Sequence, residues 1–577
     1  MRWHIEDFKG IASASIDITP GRRTILTGVN SSGKSSLIQS LLLVAQSLHS
    51  DSQLTLNGPL VRLGDAQDLM REDASHGAIR LSIGGASGIS EETTSESTFK
   101  ATFELVPAED RSLLRVRHIE LDTDEYVDKP LVVGRENSRM NDMKAAIEAT
   151  RQVGASDALH VKRLLGSERR QLRTYVTMQG LQPVAFVQLL DPAEIYTRYK
   201  SAIETLLSDI GAEGKPAPRS RVNTSPYVRE FVRLLIQGTR KDDVLRGTVE
   251  QFRTVRTGSP LLFQETWVGL SQEEQAACID KASRTRQTRP NVYIPIRGAI
   301  YRHGIANGLL ESNLSEKLIK SILALGALSD SLEEIADRIQ YLGPLRDEPR
   351  VLWNHWNELA RGLPVGTRGE YSAAVLSRAA SRTIQYFAPV GAIKEASLGE
   401  AVNEWLAYLD IGETVEARSH GKLGVGLDLR VEGHIRDLTS VGVGVSQALP
   451  LLVGLLTAPE ESLFIIEQPE LHLHPAVQSR LADFMLRARP DLALIVETHS
   501  EAFVTRIRRR SAEGTVNTAS IDITFVETSP TGSRARVLAL SEYGDLSEWP
   551  VGFLSSSEED VRAIIDANIY RAQDSNQ

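Results

Sequence analysis

The sequence contains little of what would place it in several common classes of protein. Only one of its 577 residues is cysteine, so an intramolecular disulfide framework and a multi-cysteine zinc site are excluded. That residue, Cys278, is expected to be a small buried apolar side chain. The most apolar stretch, residues 448–456, is too short to span a bilayer and contains Pro450. The N-terminal residues contain acids early and no long apolar run, which argues against a signal peptide. We therefore expect a cytoplasmic protein in a reducing compartment, with no membrane partner.

The chain also lacks an excess of basic residues. It has 65 Lys and Arg against 75 Asp and Glu, a formal net charge of -10. This balance argues against a protein that coats nucleic acid with its whole surface. Three short basic runs remain as candidate DNA contacts, at residues 167–173, 283–289 and 506–510. For each run we favour the alternative, a solvated helix face or loop.

Changes in hydrophobic pattern divide the chain into four segments. Residues 1–134 read as an N-terminal lobe, in which residues 78–124 alternate apolar and polar residues as antiparallel strands do. Residues 135–335 read as a helical insertion, and 336–530 as a C-terminal lobe. Residues 531–577 are left as a small C-terminal module. Continuous apolar strands alternate with helices in both lobes, which predicts an α/β fold whose sheet is covered on both faces.

A phosphate-binding motif lies near the N-terminus. Residues 28–35, GVNSSGKS, fit the pattern G-x-x-x-x-G-K-[ST] and stand between an apolar strand and a helix. The glycines let backbone N–H groups face phosphate oxygens, while Lys34 reaches the β and γ phosphates and the Ser35 hydroxyl ligates magnesium. The N-terminal end of the helix adds positive potential. The alternative, a glycine turn before an ordinary helix, is disfavoured by this context. No N-K-x-D motif of GTPases occurs.

Three downstream elements are expected to converge with this loop. Glycines and Ser446 precede a helix, which suggests a second phosphate-reading helix start that acts on a partner's nucleotide. Glu467 ends the apolar strand LFII, where a magnesium-directed carboxylate would lie, and His499 ends another apolar strand. Ligands of open α/β sheets gather at the carboxyl ends of strands.

This order of motifs resembles the ABC-type ATPase heads of the RecF, SMC and OLD-like group. The resemblance rests on IEDFKGIASASIDITPGRRTILTGVNSSGKSSLIQSLLL, SVGVGVSQALPLL, EQPELHLHP and ETHSE. Further segments, LNGPLVRLGDAQDL, YLGPLRDEP and GDLSEWPVGFL among them, resemble a bacterial subgroup of AAA-labelled ATPases with a small C-terminal domain. The resemblance covers residues 1–80 and 335–555. It implies a P-loop NTPase of ABC-ATPase type with an antiparallel β subdomain and a helical insertion.

The resemblance also implies roles for individual residues. ATP and magnesium would be bound by Gly28, Asn30, Gly33, Lys34, Ser35 and Ser36. Glu467 would be the Walker B acid, and would bind magnesium with Ser35. The nucleotide of a second protomer would be faced by the signature segment, Ser440, Gly442, Gly444, Ser446 and Gln447. His499 would sense the γ-phosphate. Gln67 is a candidate for the Q-loop glutamine, with Gln46 as its alternative.

Two departures from the family's pattern concern the hydrolysis step. Glu467 replaces the more usual aspartate, and Gln468 occupies the position of the general base. A glutamine amide cannot take a proton from water, and losing a positioned base costs about 10²- to 10⁴-fold in rate. One hypothesis is that Glu470 or His499 orients the water instead. The competing hypothesis is slow turnover, in which bound ATP holds a dimer closed.

These features support two functions and disfavour others. The first is an ATP-gated switch or sensor that controls a separate effector protein, in bacterial defence against phage. The second is an ATPase clamp that engages DNA in repair or recombination. A nuclease of the OLD type would need a TOPRIM domain after the ATPase, and too few residues follow His499. A zinc site of Glu470, His472 and His474 is disfavoured because no Cys or H-E-x-x-H helix accompanies it. Arg346 and Arg350 could contact phosphate or a partner subunit, although surface ion pairs are favoured.

Overall fold

The computed structural model describes residues 1–48, 54–71, 73–74, 77–87, 97–109, 113–124, 129–135, 140–153, 155–165, 173–189, 192–210, 226–239, 244–255, 260–286, 290–296, 316–353, 365–550, 553 and 563–567. The strands, numbered along the chain, are β1 (Arg2–Phe8), β2 (Ile11–Asp17), β3 (Arg23–Gly28), β4 (Ile79–Ser87), β5 (Ser97–Pro107), β6 (Leu114–Thr123), β7 (Leu131–Gly134), β8 (Asp157–Arg163), β9 (Thr174–Gln179), β10 (Gln182–Leu189), β11 (Pro290–Pro295), β12 (Ile339–Leu342), β13 (Thr383–Phe387), β14 (Ile393–Ser397), β15 (Thr414–Ser419), β16 (Val425–Val431), β17 (His434–Asp437), β18 (Leu463–Glu467), β19 (Ala493–Glu497), β20 (Ile521–Glu527) and β21 (Ser533–Leu538).

The α-helices of the same residues are α1 (Lys34–Leu48), α2 (Met140–Thr150), α3 (Pro192–Ile210), α4 (Pro226–Gly238), α5 (Arg246–Val255), α6 (Pro260–Val268), α7 (Gln272–Arg286), α8 (Glu316–Arg338), α9 (Ser372–Ala379), α10 (Leu398–Leu409), α11 (Val443–Thr457), α12 (Pro475–Arg487) and α13 (Glu501–Ala512). None of these helices is long and apolar enough to cross a membrane.

Five parallel strands form the centre of the fold. They lie side by side in the order β12, β18, β19, β3, β20. Every residue of β18 and β19 is buried. Ile465 belongs to the hydrophobic core on one face of the sheet, whereas Phe464 and Ile466 belong to the core on the other. Burial on both faces explains why these strands read as continuous apolar runs, and it confirms the α/β class.

An antiparallel extension continues the same sheet. β21 pairs antiparallel with β20 and parallel with β2, which joins the parallel centre to β1 and β4. From β4 to β11 each strand is antiparallel to the next along the chain. The antiparallel strands expected over residues 78–124 are therefore present as β4 to β6.

The segment 135–335 differs from the helical insertion expected from sequence. Helices α2 to α8 lie in it, but so do β8 to β11, which extend the sheet. β9 and β10 form a hairpin whose turn uses Gly180 at φ 59. β-Branched and aromatic residues around a glycine turn are a hairpin signal, and the helical periodicity of the surrounding windows obscured it. Helices α3 to α7 have a core of their own, which buries Cys278 as expected.

Candidate functional site

The phosphate loop is fixed by its neighbour strand. It joins the end of β3 to the start of α1, as the motif requires. Gly28 has φ 141, and a Cβ added to it would lie 2.2 Å from the Val526 carbonyl oxygen in β20. Gly33 has φ 101, which also favours glycine. The backbone path of the loop therefore depends on both glycines.

Lys34 lies inside the curve of this loop. Its Nζ donates hydrogen bonds to the carbonyl oxygens of Gly28 at 3.1 Å and Val29 at 2.8 Å. Burial lowers the pKa of Lys34, and the carboxylates of Glu497 and Glu470 partly offset that effect. The amine is placed where the motif requires a group that contacts the β and γ phosphates.

Two carboxylates stand beside Ser35 at the ends of adjacent strands. Glu467 and Glu497 are register partners in the parallel pair β18 and β19. The Ser35 hydroxyl donates to both carboxylate oxygens of Glu497, at 3.1 and 3.0 Å. Sequence reasoning missed Glu497, although the run LALIVE ends in an acid as LFIIE does. That shared pattern is the signal that could have found it.

The two acids form an electronegative pair. Burial, and then the neighbouring Glu467 carboxylate, raise the pKa of Glu497. Two carboxylates and a hydroxyl are the hard oxygen donors that suit Mg²⁺, which usually takes its remaining ligands from substrate phosphates and water. These residues therefore fit the magnesium ion that the P-loop implies. Within the described ranges, no group of three or more His, Cys, Asp and Glu side chains could hold a metal by itself.

Tyr341 in the edge strand β12 and Arg346 in the loop after it hold Glu467 in place. The Tyr341 hydroxyl donates to Glu467 Oε1 at 2.7 Å. The guanidinium of Arg346 donates to the backbone carbonyls of Gly343 and Glu467, the latter at 3.2 Å. The surface ion pair favoured for Arg346 is wrong, because the side chain is only 5% exposed. Arg350 does form such a pair, with Asp347 at 3.1 Å.

Gln468 follows Glu467 in an unusual conformation. Its φ is 46, and its backbone N–H donates to the Glu497 carbonyl oxygen at 2.8 Å. Strand β18 therefore ends at Glu467. Gln468, which is half-buried, occupies the position predicted for the general base. Its role in catalysis stays a prediction.

Glu470 and His499 are joined through the backbone. The N–H of His499 donates to Glu470 Oε1 at 2.7 Å, and burial raises the pKa of Glu470. The His499 side chain is exposed, although partial burial and then Lys34 lower its pKa. Ser500 caps α13 directly after it by accepting from the Phe503 N–H at 3.0 Å. Both candidate water-orienting residues therefore lie near the phosphate loop.

The two histidines of the disfavoured zinc site face solvent. His472 and His474 are both exposed, and His472 has φ 61. His474 Nδ1 accepts from the Ala476 N–H at 3.3 Å and thereby caps α12.

The signature segment stands apart from the phosphate loop of its own chain. Ser440 and Gly442 are exposed, and α11 begins at Val443. Ser446 and Gln447 are buried, and the Ser446 hydroxyl donates to the Val443 carbonyl at 2.7 Å. Among the described residues, no hydrogen bond or ion pair joins 440–447 to 28–36. The exposed part of this helix start is therefore available to another molecule.

The two glutamine candidates differ in their surroundings. Gln67 is exposed in the short turn Ala66–Leu69. Gln46 is buried, and its amide bonds the backbone of Thr55 and Val61. Gln46 thus packs residues 55–61 onto α1 and is unsuited to the Q-loop role. Asn30 is exposed in the phosphate loop and Ser36 is half-buried in the first turn of α1.

The arginine run 506–510 is not a free basic patch. Arg506 and Arg510 donate to the buried Asp483, and Arg509 pairs with Glu513 at 2.6 Å. Arg508 donates to the Gly544 carbonyl and lies 5.0 Å from the centre of the Trp549 ring. The run was a candidate for DNA contact because sequence alone shows its charges but not their partners. Most of the run 167–173, and residues 287–289 of the run 283–289, lie outside the described residues.

A model of a known protein family matches part of the chain. Residues 286–505 match the family described as "AAA domain, putative AbiEii toxin, Type IV TA system". The matched segment includes Glu467, Gln468, Glu470 and His499. This segment of the chain therefore resembles an AAA domain. The sheet carries the phosphate loop and both acids at the carboxyl ends of adjacent parallel strands, as the P-loop NTPase fold does.

Solved structures to which the chain is similar include two Smc heads. One is the Smc head domain of Pyrococcus furiosus with an extended coiled coil, bound to the C-terminal domain of ScpA, at 11% identity and a TM-score of 0.29 over 93% of this chain and 96% of that chain. Another is the Smc head domain of Pyrococcus yayanosii with a coiled coil and joint, at 13% identity and a TM-score of 0.30 over 97% and 99%. No curated protein matches the chain.

Proposed function

We propose that the protein is an ATP-dependent switch that binds Mg-ATP, hydrolyses it slowly and pairs with a second copy around the nucleotide. The observation that carries this proposal is the meeting of Lys34, Ser35, Glu467 and Glu497 at the ends of three adjacent parallel strands. That arrangement supplies a cation for the phosphates and oxygen donors for magnesium. Bound Mg²⁺ would neutralise charge on the β and γ phosphates.

The residues after Glu467 explain why hydrolysis is expected to be slow. In the reaction the water oxygen bonds to the γ-phosphorus, the bond to the bridging oxygen breaks, and a water proton must pass to a base to leave ADP and phosphate. The Gln468 amide cannot accept that proton. Glu470, two residues farther along, accepts from the His499 backbone through Oε1, and its buried Oε2 has no hydrogen-bond partner among the described residues. Hydrolysis would then depend on a carboxylate two residues away from the base position, and we expect it to be slow for that reason.

The second copy is inferred from the signature segment. The start of α11 carries exposed Gly442 and Val443, and the phosphate loop carries exposed Val29. A helix N-terminus attracts anions, yet this one makes no contact of its own with the phosphate loop in the described structure. Two copies arranged head to head would place each α11 on the partner's nucleotide. The resulting closed state would be read by a separate effector protein, and the setting predicted from the resemblance is defence against phage.

The first experiment is the release of phosphate from Mg-ATP by the purified protein. Lys34→Ala is the blank, because it removes the amine that lies inside the loop. Turnover slightly above the blank, with ATP stoichiometrically bound, supports a slow switch. Rapid multiple turnover would contradict it, and failure to bind ATP at all would remove the function.

The alternative, a DNA clamp, is tested separately. The arginines of 506–510 have partners within the chain, so this run does not favour DNA binding. DNA binding whose logarithm falls linearly with that of the salt concentration would support the clamp. Absence of binding at low salt would exclude DNA as a direct ligand.

A further inference from the structure

The P-loop hydroxyl is bonded to a carboxylate that the motif pattern does not use. Ser35 is the residue whose hydroxyl ligates magnesium in this motif. It donates to both oxygens of Glu497, at 3.1 and 3.0 Å, and no hydrogen bond joins it to Glu467 within the described structure. The acid nearest to Ser35 is therefore Glu497.

The strand order explains this proximity. β19 lies between β3, which leads into the phosphate loop, and β18, which ends in Glu467. Glu497 is the register partner of Leu26 in β3 and of Glu467 in β18. Neighbouring strands are about 4.8 Å apart, so Glu467 stands one strand farther from the loop. The Tyr341 hydroxyl engages Glu467 from the opposite side.

The charges of this cluster call for a cation. Glu467 is 7% exposed and Glu497 2% exposed, so both acids are removed from solvent side by side. Within the described residues neither forms an ion pair with a Lys or Arg side chain. Lys34, the cation beside them, directs its hydrogen bonds to backbone carbonyls of the loop. Buried carboxylates are normally paired or coordinate metals.

We propose that Glu497 is a magnesium-binding carboxylate of the ATP site, acting with Ser35 and Glu467. The inference rests on the proposed function. It gives the site a second acid on the strand between the P-loop strand and the Walker B strand. The site therefore does not need a carboxylate at position 468 to hold the metal. Slow hydrolysis is still expected, because the general base is missing there.

The test measures how nucleotide affinity depends on magnesium rather than activity. A fluorescent ATP analogue is titrated at a series of Mg²⁺ concentrations, and the concentration that gives half of the magnesium effect is compared among variants. Glu497→Gln keeps the shape of the side chain and removes its charge. We expect it to raise that concentration by about tenfold or more, as changes around bound metals commonly do. Affinity in EDTA should stay equal or increase, because one negative charge near the phosphates is lost.

The matched control is Glu104→Gln, the same change at a half-buried carboxylate of the antiparallel extension. Glu104 pairs with Arg80 and Arg117 and not with Ser35, so its half-effect concentration should match that of the unmodified protein. If Glu497→Gln also matches the unmodified protein, the inference is overturned while the proposed function stands. If the unmodified protein binds no nucleotide with or without Mg²⁺, both fail. Should Glu497→Gln not fold, Glu497→Asp replaces it. Its shorter side chain should also weaken the magnesium effect, and an unchanged magnesium effect would refute the proposed role of Glu497.

Discussion

At the scale of single residues, the proposal of slow hydrolysis depends on one amide, that of Gln468. Gln468 directly follows β18, and its backbone N–H donates to the Glu497 carbonyl oxygen at 2.8 Å. Gln468 adopts a φ of 46, and its side chain has the same length as that of glutamate. A glutamate at this position would therefore meet the same backbone, and only the chemistry of the head group would change.

We predict that Gln468→Glu accelerates phosphate release from Mg-ATP. A carboxylate can accept the proton that the amide cannot, and a positioned base contributes about 10²- to 10⁴-fold. Steady-state phosphate release at saturating ATP measures the effect. The double variant Lys34→Ala/Gln468→Glu should show no turnover, which guards against a contaminating ATPase. An unchanged rate in Gln468→Glu would mean that another group already acts as the base.

At the scale of elements, a buried ion cluster fixes the helix that follows His499. Asp483 in α12 accepts hydrogen bonds from Arg506 and Arg510 of α13 and from Tyr408 of α10. Asp483 is 1% exposed, and the two arginine side chains are 15% and 16% exposed. Because α13 starts at Glu501, the cluster anchors the helix that directly follows the His499 loop.

We predict that Asp483→Asn destabilises the C-terminal lobe by about 3–5 kcal/mol at neutral pH, since removing one partner leaves buried charge unpaired. Burial alone would raise the pKa of Asp483, but hydrogen bonds from Arg510, Arg506 and Tyr408 outweigh it and lower the pKa. The stabilisation is therefore complete above the ordinary aspartate pKa of about 3.9, and it is lost as the pH falls through the lower folded value.

Denaturant midpoints measured from pH 7 downward check this prediction. The gap between the unmodified protein and Asp483→Asn should stay constant to about pH 5 and narrow below about pH 4. Arg509→Ala is the control, because Arg509 forms an exposed pair with Glu513, and it should cost less than about 1 kcal/mol. Equal midpoints for Asp483→Asn and the unmodified protein at pH 7 would refute the role of the cluster.

The elements also show what sequence could and could not predict. The strand, glycine loop and helix around Lys34 follow from local pattern, as do the apolar strands that end in Glu467 and Glu497. The contact of Ser35 with Glu497 joins residues 462 positions apart, and it depends on which strand lies between β3 and β18. The partners of Arg506 and Arg510 likewise belong to another helix. Local periodicity contains no information on such pairings, and it also concealed the strands β8 to β11.

At the scale of the whole molecule, the site is proposed to be shared between two copies. Gly442 offers a clean test, since its φ is -60 and a Cβ there would meet nothing within 4 Å. A side chain at this position leaves the fold of its own chain intact and protrudes at the exposed start of α11. A negative charge there would repel the phosphates of the nucleotide bound to the second copy.

We predict that Gly442→Glu and Lys34→Ala each lack ATP turnover alone and regain part of it when mixed. A mixed pair contains one site with an intact Lys34 from one copy and an intact Gly442 from the other. Phosphate release at a fixed total protein concentration measures this complementation. Turnover by Gly442→Glu alone at the normal rate would show that its nucleotide needs no second copy.

The most direct test of the account is the molar mass in solution by light scattering, with and without Mg-ATP. The account predicts that the mass of the unmodified protein doubles with Mg-ATP. It predicts that Gly442→Glu binds ATP without any change in mass and that Lys34→Ala does neither. An unmodified protein that binds ATP stoichiometrically and keeps the same mass would contradict the claim that nucleotide joins two heads.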